Sequence, residues 1–475
     1  MGRVLLVGFS LLLFASGAVL LSMNGCGGTS RRVIPQGTFQ HIVIIFQENR
    51  TPDNLFHDPV LMAAGADIAS SGRNSSGQVV PLTPIPLGVS YDPVHAHFAF
   101  VAMYDGGKMD GADKIPIQCP STGCVPKPPP NPQFHYVDPT DVEPYFQMAE
   151  QYTFGDRMFQ TNEGPSFPAH QFIISGTSAP TATSHLFVAE NPGGFAGSFS
   201  IAGCIAPPHE SVPLIDATGK ESTKMYPCTE HPTLTDELNA NGISWRYYTP
   251  TAGVIWTAPN AIQHMCGPNA PPPYATKCVG DDWVNHVVLF TAQEPAPILT
   301  DIANHQLPAV SWVIPAGQNS DHPSFPNDNG GPSWVAAVVN AIGNSSYWAN
   351  TAIIITWDDW GGWYDHVPPP KIVDDGTSWG SGYVYGFRVP LIVVSPFARP
   401  AYISHATHDF GSILNFVEEN FGLASLGYAD AYNPDDLLDC FNLKQTPLTF
   451  RTIPAPLDAD HFLHDTTPPT PPDSD

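Results

Sequence analysis

Residues 351–370, TAIIITWDDWGGWYDHVPPP, decide the fold. Ala352 to Ile355 is a short apolar run flanked by Thr351 and Thr356. β-branched residues dominate it and no polar face alternates, which predicts a strand buried on both sides. The run delivers the chain to Asp358 and Asp359, then to a Gly361-Gly362 turn, then to Asp365 and His366. Open α/β sheets collect ligands at the carboxyl ends of their strands, so paired acids there are candidates for chemistry; the plainer alternative is that they open a turn.

A second stretch repeats the pattern. His41 to Phe46 (HIVIIF) is another apolar, β-branched run, and it leads into Gln47-Glu48-Asn49-Arg50 and Pro52-Asp53-Asn54-Leu55-Phe56. Glu48 and Asn49 are hard oxygen donors suited to a divalent cation. Leu307 to Ile314 and Val389 to Pro396 read as further buried strands, and Thr233 to Asn241, Ser333 to Gly343 and Asp409 to Phe421 as helices. The last of these places Phe410, Ile413, Leu414, Phe416 and Val417 on one face. Strands alternating with helices over 40–60 and 305–425 predict an α/β fold with a doubly wound, mostly parallel sheet sandwiched by helices.

Bulk composition narrows the function classes. With 52 prolines and 40 glycines but only 13% charged residues, the 475-residue chain is rich in loops, while 42% hydrophobic content supplies a large core. A formal charge of −26 argues against nucleic acid as a partner and against anionic membrane surfaces in general. An anionic substrate would need a local site, one containing metal, to offset that field.

Arg3 and the apolar run from Val4 to Leu21, followed by Met23-Asn24-Gly25-Cys26, predict an export segment over residues 1–26. It reads as a lipoprotein signal that leaves Cys26 for lipid attachment, as an ordinary secretory signal, or as an uncleaved anchor; each exports the protein to the periplasm, cell envelope or medium. Residues 27–38 read as a tether, 39–460 as one domain with a cap-like insertion over about 180–300, and 461–475 as a disordered tail. Apart from Cys26, pairing sequence neighbours joins Cys119 with Cys124, Cys204 with Cys228 and Cys266 with Cys278, leaving Cys440, although sequence alone does not fix connectivity.

A hydroxyl complements the acids. In Gly164-Pro165-Ser166-Phe167-Pro168-Ala169-His170, Ser166 opens a short helix, where free backbone N–H groups and the helix dipole suit a nucleophile that holds a phosphoryl group. The same position suits an N-cap. His95, in Asp92-Pro93-Val94-His95, and His322, in Asp321-His322-Pro323, are further polar candidates.

Taken in order, QENRTPDNLF, DPVH with GGKMDG, GPSFPAH, DHPS, TWDDWGGWYDHVPPP and GFRVPLIVVSPFAR resemble the motifs of the bacterial phosphoesterase family of acid phosphatases and phospholipases C. That family is similar in fold to the alkaline phosphatase superfamily. The resemblance implies that Glu48 and Asn49, with Asp358 and Asp359, are ligands of a divalent metal ion, and that Ser166 is both ligand and nucleophile. Asp359 stands where the family often has Glu. His95 and His322 match histidines that contact the phosphoryl group or donate protons, and His366, which matches the histidine of the family's DHV motif, joins them as a catalytic candidate. Where the family commonly reads Pro-Asn-Arg, this chain has Pro168-Ala169-His170, so His170 is either a substrate contact or a spacer.

The implied reaction is hydrolysis of a phosphate ester through a phosphoserine, on a phospholipid as a phospholipase C or on phosphomonoesters as an acid phosphatase. The ion stays open among calcium, magnesium, manganese, zinc and iron. Trp357, Trp360, Trp363 and Tyr364 suit either an apolar substrate or core packing. Membrane contact would come through the N-terminal lipid or the substrate. The competing reading is a surface binding or adhesion protein that keeps the fold and has lost catalysis.

Overall fold

In the computed structural model the expected strand runs from Thr351 to Trp357, and the strand His41–Gln47 lies parallel beside it. Their register sets His41 level with Thr351 and Gln47 level with Trp357, so the two chains leave the sheet side by side. The structure describes residues 1–2, 33–119, 122–193, 201–216, 218–323, 330–370, 385–433 and 435–469. The expected export segment with Cys26 lies outside the described residues apart from Met1 and Gly2, as does the end of the chain from 470. The chain divides into two units, Met1–Val33 and Ile34–Asp475, and the second carries all the strands and helices described.

Among the described residues nine strands form the main sheet: β1 (His41–Gln47), β2 (Thr153–Phe159), β3 (Trp245–Thr249), β4 (Val287–Leu289), β5 (Val310–Val313), β6 (Thr351–Trp357), β7 (Arg388–Val394), β8 (Tyr402–Ser404) and β9 (His408–Asp409). Their order is β4-β3-β5-β1-β6-β7-β2-β8, with β9 also on β2. Neighbours are parallel except at β7, which runs antiparallel to both β6 and β2. The sheet is therefore mostly parallel and α/β, as the apolar runs predict.

Alternation along the strands shows what covers each face. Phe46 meets Phe410 edge-on at 5.7 Å between ring centroids, and Trp312 donates its indole N–H to the Ile173 carbonyl. That face is covered by α2 (Ser166–Ser175) and α4 (Phe410–Phe421), helices introduced here together with α1 (Glu143–Gln151) and α3 (Gly330–Gly343). One residue further on the strands, Trp357 stacks edge-on against Tyr145 of α1 at 5.1 Å, and Gln47 donates to the Gly331 carbonyl of α3. With both faces covered, Ile42–Phe46 and Ala352–Ile355 have no exposure. The ends of α4 show why it begins and stops where it does. The Asp409 carboxylate accepts from Ser412 N–H and the Ser412 hydroxyl in a capping box, and Gly422 closes the helix at φ 69°.

Two expected boundaries move. The 180–300 region is not a cap throughout, because β3 and β4 extend the main sheet from β5, with Trp245, Tyr247 and Tyr248 buried. The rest of that region carries a small sheet of Phe187–Val188, Val212–Ile215 and Glu221–Met225 and the disulfides Cys204–Cys228 and Cys266–Cys278. The expected tail from 461 begins inside a helix, Ala459–His464, because Phe462 gains burial against Trp334 at 5.3 Å. Cys119–Cys124 is the third disulfide and Cys440 is a buried free thiol, the pairing of sequence neighbours.

Candidate active site

The parallel register of β1 and β6 brings two pairs of oxygen donors to one place. Glu48 and Asn49 follow β1, Asp358 and Asp359 follow β6, and the Asp358 N–H donates to the Gln47 carbonyl at 2.9 Å, which ties the strand ends together. All four side chains are fully buried. Asn49 turns at φ 62°, a left-handed conformation that asparagine tolerates, and its N–H donates to Asp358 Oδ1. The next turn packs onto that backbone. A Cβ at Gly361 would lie 2.2 Å from the Asn49 carbonyl oxygen, so only glycine permits the approach.

Ser166 joins them from the other side of the sheet end. It opens α2, and its hydroxyl donates to Asp359 Oδ2 at 3.2 Å, with Glu48 Oε2 at 3.5 Å. The preceding loop is held tightly, since a Cβ on Gly164 would lie 1.9 Å from the Ala189 carbonyl oxygen. Phe167 N–H, in the first turn of α2, donates to Asn191. One turn along the helix, His170 points at the same acids, its Nε2 3.1 Å from Glu48 Oε1 and 3.5 Å from Asp358 Oδ2.

The Asn49 amide stands between these carboxylates and two histidines. One amide atom lies 3.0 Å from Glu48 Oε2 and 3.1 Å from Asp358 Oδ1; the other lies 3.0 Å from His95 Nε2 and 3.1 Å from His322 Nε2. Both rings direct Nδ1 at a backbone carbonyl, of Pro93 and Pro323 respectively, so in their neutral forms each presents a bare Nε2. Two arrangements follow. With the amide nitrogen toward the acids, both rings must carry a second proton to bond its oxygen. With the amide nitrogen toward the rings, its oxygen joins Glu48 and Asp358, which is favourable with a cation among the three oxygens.

Charge in the site points the same way. Burial, then the charge of Asp358 and its hydrogen bond, then Asp359, hold the Glu48 carboxyl well above its ordinary range. Burial also works against ionised Asp358, but the hydrogen bond and charge of His170, with Glu48 and Ser166, leave its pKa lowered. Asp358 Oδ2 has no closer partner among the described residues than His170 Nε2 at 3.5 Å. Glu48, His170 and Asp358 each offer one ligand atom within 4.8 Å of the others. Crowded buried carboxylates with a free lone pair, an amide oxygen, a hydroxyl and an imidazole are the donor set of a divalent cation, so the residues fit one.

The loop carrying His322 is fixed by groups from three elements. Arg50 donates through Nε to the Asp321 carbonyl, while Asp321 Oδ2 accepts from the Tyr145 hydroxyl and the Trp357 indole. Burial raises the Asp321 carboxyl to about 6 against the lowering effect of those donors and of Arg50.

The structure brings Glu48, Asn49, His95, Ser166, His322, Asp358 and Asp359 together and turns His366 to other partners. Both ring nitrogens of His366 are engaged elsewhere, Nδ1 with Asp53 at 2.7 Å and Nε2 with Asp67 at 3.0 Å. Arg388 completes that network on Asp53 and Asp365. His366 therefore joins the β1 loop to the β6 loop. The four aromatics near the acids pack the interior: Trp357, Trp360 and Trp363 have no exposure, and Trp363 lies under the Arg50 guanidinium at 5.0 Å. His170 is the residue sequence reasoning left aside. Its spacing of four from Ser166 on a helix, which sets both on one face, is the signal that finds it.

A family model described as the Phosphoesterase family matches residues 39–424. Phospholipase C B of Mycobacterium tuberculosis is 25% identical over 431 residues, covering 81% of this chain and 73% of that protein. The hemolytic phospholipase C of Pseudomonas aeruginosa is 24% identical over 436 residues, covering 81% of this chain and 53% of that one. Among solved structures, a protein in the alkaline phosphatase superfamily from Vibrio parahaemolyticus matches with a TM-score of 0.34 at 10% identity, over 84% of this chain and 71% of its own.

Proposed function

The chain belongs to the phosphoesterase family and is a phosphoric ester hydrolase, and from that premise we propose that it cleaves phospholipids as an exported phospholipase C, through a phosphoserine on Ser166 at a divalent-cation site. The observation that carries the reading is the Ser166 hydroxyl, bonded to Asp359 and close to Glu48 where β1 and β6 end. Three disulfides support export, since such bonds persist in oxidising compartments. The names of the relatives support a phospholipid over a phosphomonoester.

Glu48, Asn49, Asp358, Asp359 and Ser166, with His170, would hold the ion, and this mixture of carboxylate and imidazole favours manganese, iron or zinc over calcium. The ion they hold would lower the hydroxyl pKa of Ser166 and neutralise charge on the phosphoryl oxygens. Ser166 Oγ attacks phosphorus, and its proton passes to Asp359, the carboxylate to which it already donates. The bond from phosphorus to the glycerol oxygen breaks, and that oxygen takes the Nε2 proton of a doubly protonated His95, with His322 beside the phosphoryl group, leaving as diacylglycerol. His95 Nε2 lies 3.8 Å from Asp359 Oδ2, a gap that one water would bridge to return the proton. Water then attacks the phosphoserine, releasing the phosphorylated headgroup and returning the proton to Ser166.

The test is turnover of phosphatidylcholine vesicles and of p-nitrophenyl phosphate by the purified chain, with and without chelator. The expected result is chelator-sensitive release of diacylglycerol that Ser166→Ala abolishes without loss of folded structure. Turnover of the monoester alone would move the assignment to acid phosphatase. No metal-sensitive turnover of either at any pH would favour the binding-protein reading.

A further inference from the structure

A second group of ligand-type side chains lies at the sheet margin, with β7 and β2 between it and the end of β6. β8 and β9 carry Ser404 and His408, and the 3-10 turn Leu438–Cys440 brings Asp439 and Cys440 against them. We propose that His408 Nε2, Asp439 Oδ1 and Cys440 Sγ form a structural site for a zinc-type ion, separate from the catalytic one.

Geometry carries the proposal. The three donor atoms form a triangle with sides of 3.9 Å from Sγ to Nε2, 3.5 Å from Nε2 to Oδ1 and 3.7 Å from Sγ to Oδ1. Ligands ~2.0–2.3 Å from a tetrahedral zinc stand ~3.3–3.6 Å from one another, so a contraction of a few tenths of an ångström would complete one face of a coordination tetrahedron. The Ser404 hydroxyl, 2.9 Å from His408 Nε2 and bonded to Asp439 Oδ2, lies at the fourth side. Behind the ring, His408 Nδ1 is bonded to Asp435, the carboxylate–histidine arrangement that fixes the tautomer and leaves Nε2 for an ion.

Chemistry adds to it. The sulfur, nitrogen and oxygen donors differ from the oxygen-rich catalytic set and suit a softer, borderline ion. Among the described residues six cysteines are paired and Cys440 is the free thiol, buried among acidic side chains where an ion would be its natural partner. Asp439 is half-buried and gives the ion a way in, while His408 and Cys440 are fully buried. Cys440 also accepts from the Thr153 hydroxyl and from Arg399 N–H through its carbonyl, so an ion here would fasten the C-terminal segment to β2. The rival arrangement is a protonated His408 between Asp435 and Asp439 with no ion at all.

The experiment uses the full chain stripped with chelator and reloaded with cobalt(II). The expected spectrum contains a thiolate-to-cobalt charge-transfer band in the near ultraviolet, and Cys440→Ser removes both that band and one equivalent of bound metal while keeping ester hydrolysis. Should that variant fail to fold, the wild-type chain still decides: zinc would slow alkylation of Cys440 under mild denaturant. Absence of the band in wild-type protein, or equal alkylation with and without zinc, would overturn the site in favour of the protonated histidine.

Discussion

Replacing His170 by alanine tests the part of the active centre that the structure adds. The ring is fully buried, and its Nε2 faces Glu48 Oε1 at 3.1 Å and Asp358 Oδ2 at 3.5 Å. Removing the ring leaves buried carboxylate oxygens without their hydrogen-bond partner, which costs roughly 1–3 kcal/mol. That is the expected loss of unfolding free energy in metal-free protein. Loss of a ligand or of the group orienting ligands weakens metal affinity by roughly 10–100-fold, or about 1.4–2.8 kcal/mol. Around the thermodynamic cycle of folding and metal binding, the loaded variant should lose that further amount relative to loaded wild type. Urea unfolding with and without manganese, together with a competition assay for metal affinity, measures both sides. Unchanged affinity combined with a loss below about 1 kcal/mol would refute the reasoning and leave His170 as a space-filler.

Three further outcomes are expected. Gly164→Ala forces the Ala189 carbonyl and the Ser166 loop apart, because the new Cβ would lie 1.9 Å from that oxygen; kcat should fall by roughly a hundredfold with metal affinity less affected, as steady-state kinetics and metal titration will show. The His366 pKa is raised to about 9, because its hydrogen bond and charge interaction with Asp53 outweigh burial. The stability this proton supplies is complete below the ordinary value of 6.5 and is lost as pH rises through about 9; the matching contribution of Asp53, whose pKa is lowered, is lost only in acid. His366→Ala should therefore cost about 2 kcal/mol at pH 6, after allowance for solvent screening, and far less at pH 10. Removing Cys204–Cys228, which joins residues 24 apart, should cost roughly 3 kcal/mol in chemical unfolding under non-reducing conditions.

The strand ends were legible because sterics and burial write them locally. Val43–Ile45 and Ile353–Ile355 could only be strands covered on both faces, and the acids after them stand out against so apolar a background. Their level alignment was not legible, since register depends on long-range pairing that no single run records. β2 was missed because Gly155, Asp156 and Arg157 interrupt its apolar pattern. In the fold Gly155 makes room for Leu391, and buried Asp156 accepts from Asp67 N–H and pairs with His405, so tertiary contacts override the local signal. β3 and β4 were placed in a cap because loops and disulfides surround them in sequence. The direction of the His366 ring is not written locally either: its position beside the acids fixes its location to within a few residues, but its orientation depends on Asp53, Asp67 and Arg388, which the chain brings from far away.

The most direct test of the central claim is to locate the phosphoryl group during turnover. Metal-loaded wild-type chain is mixed with a phosphate ester, quenched in acid and mapped by peptide mass spectrometry. Phosphate on the peptide containing Ser166, absent after chelation, is the predicted result. Steady turnover with no phosphorylated Ser166, or with the label on another residue, would contradict it.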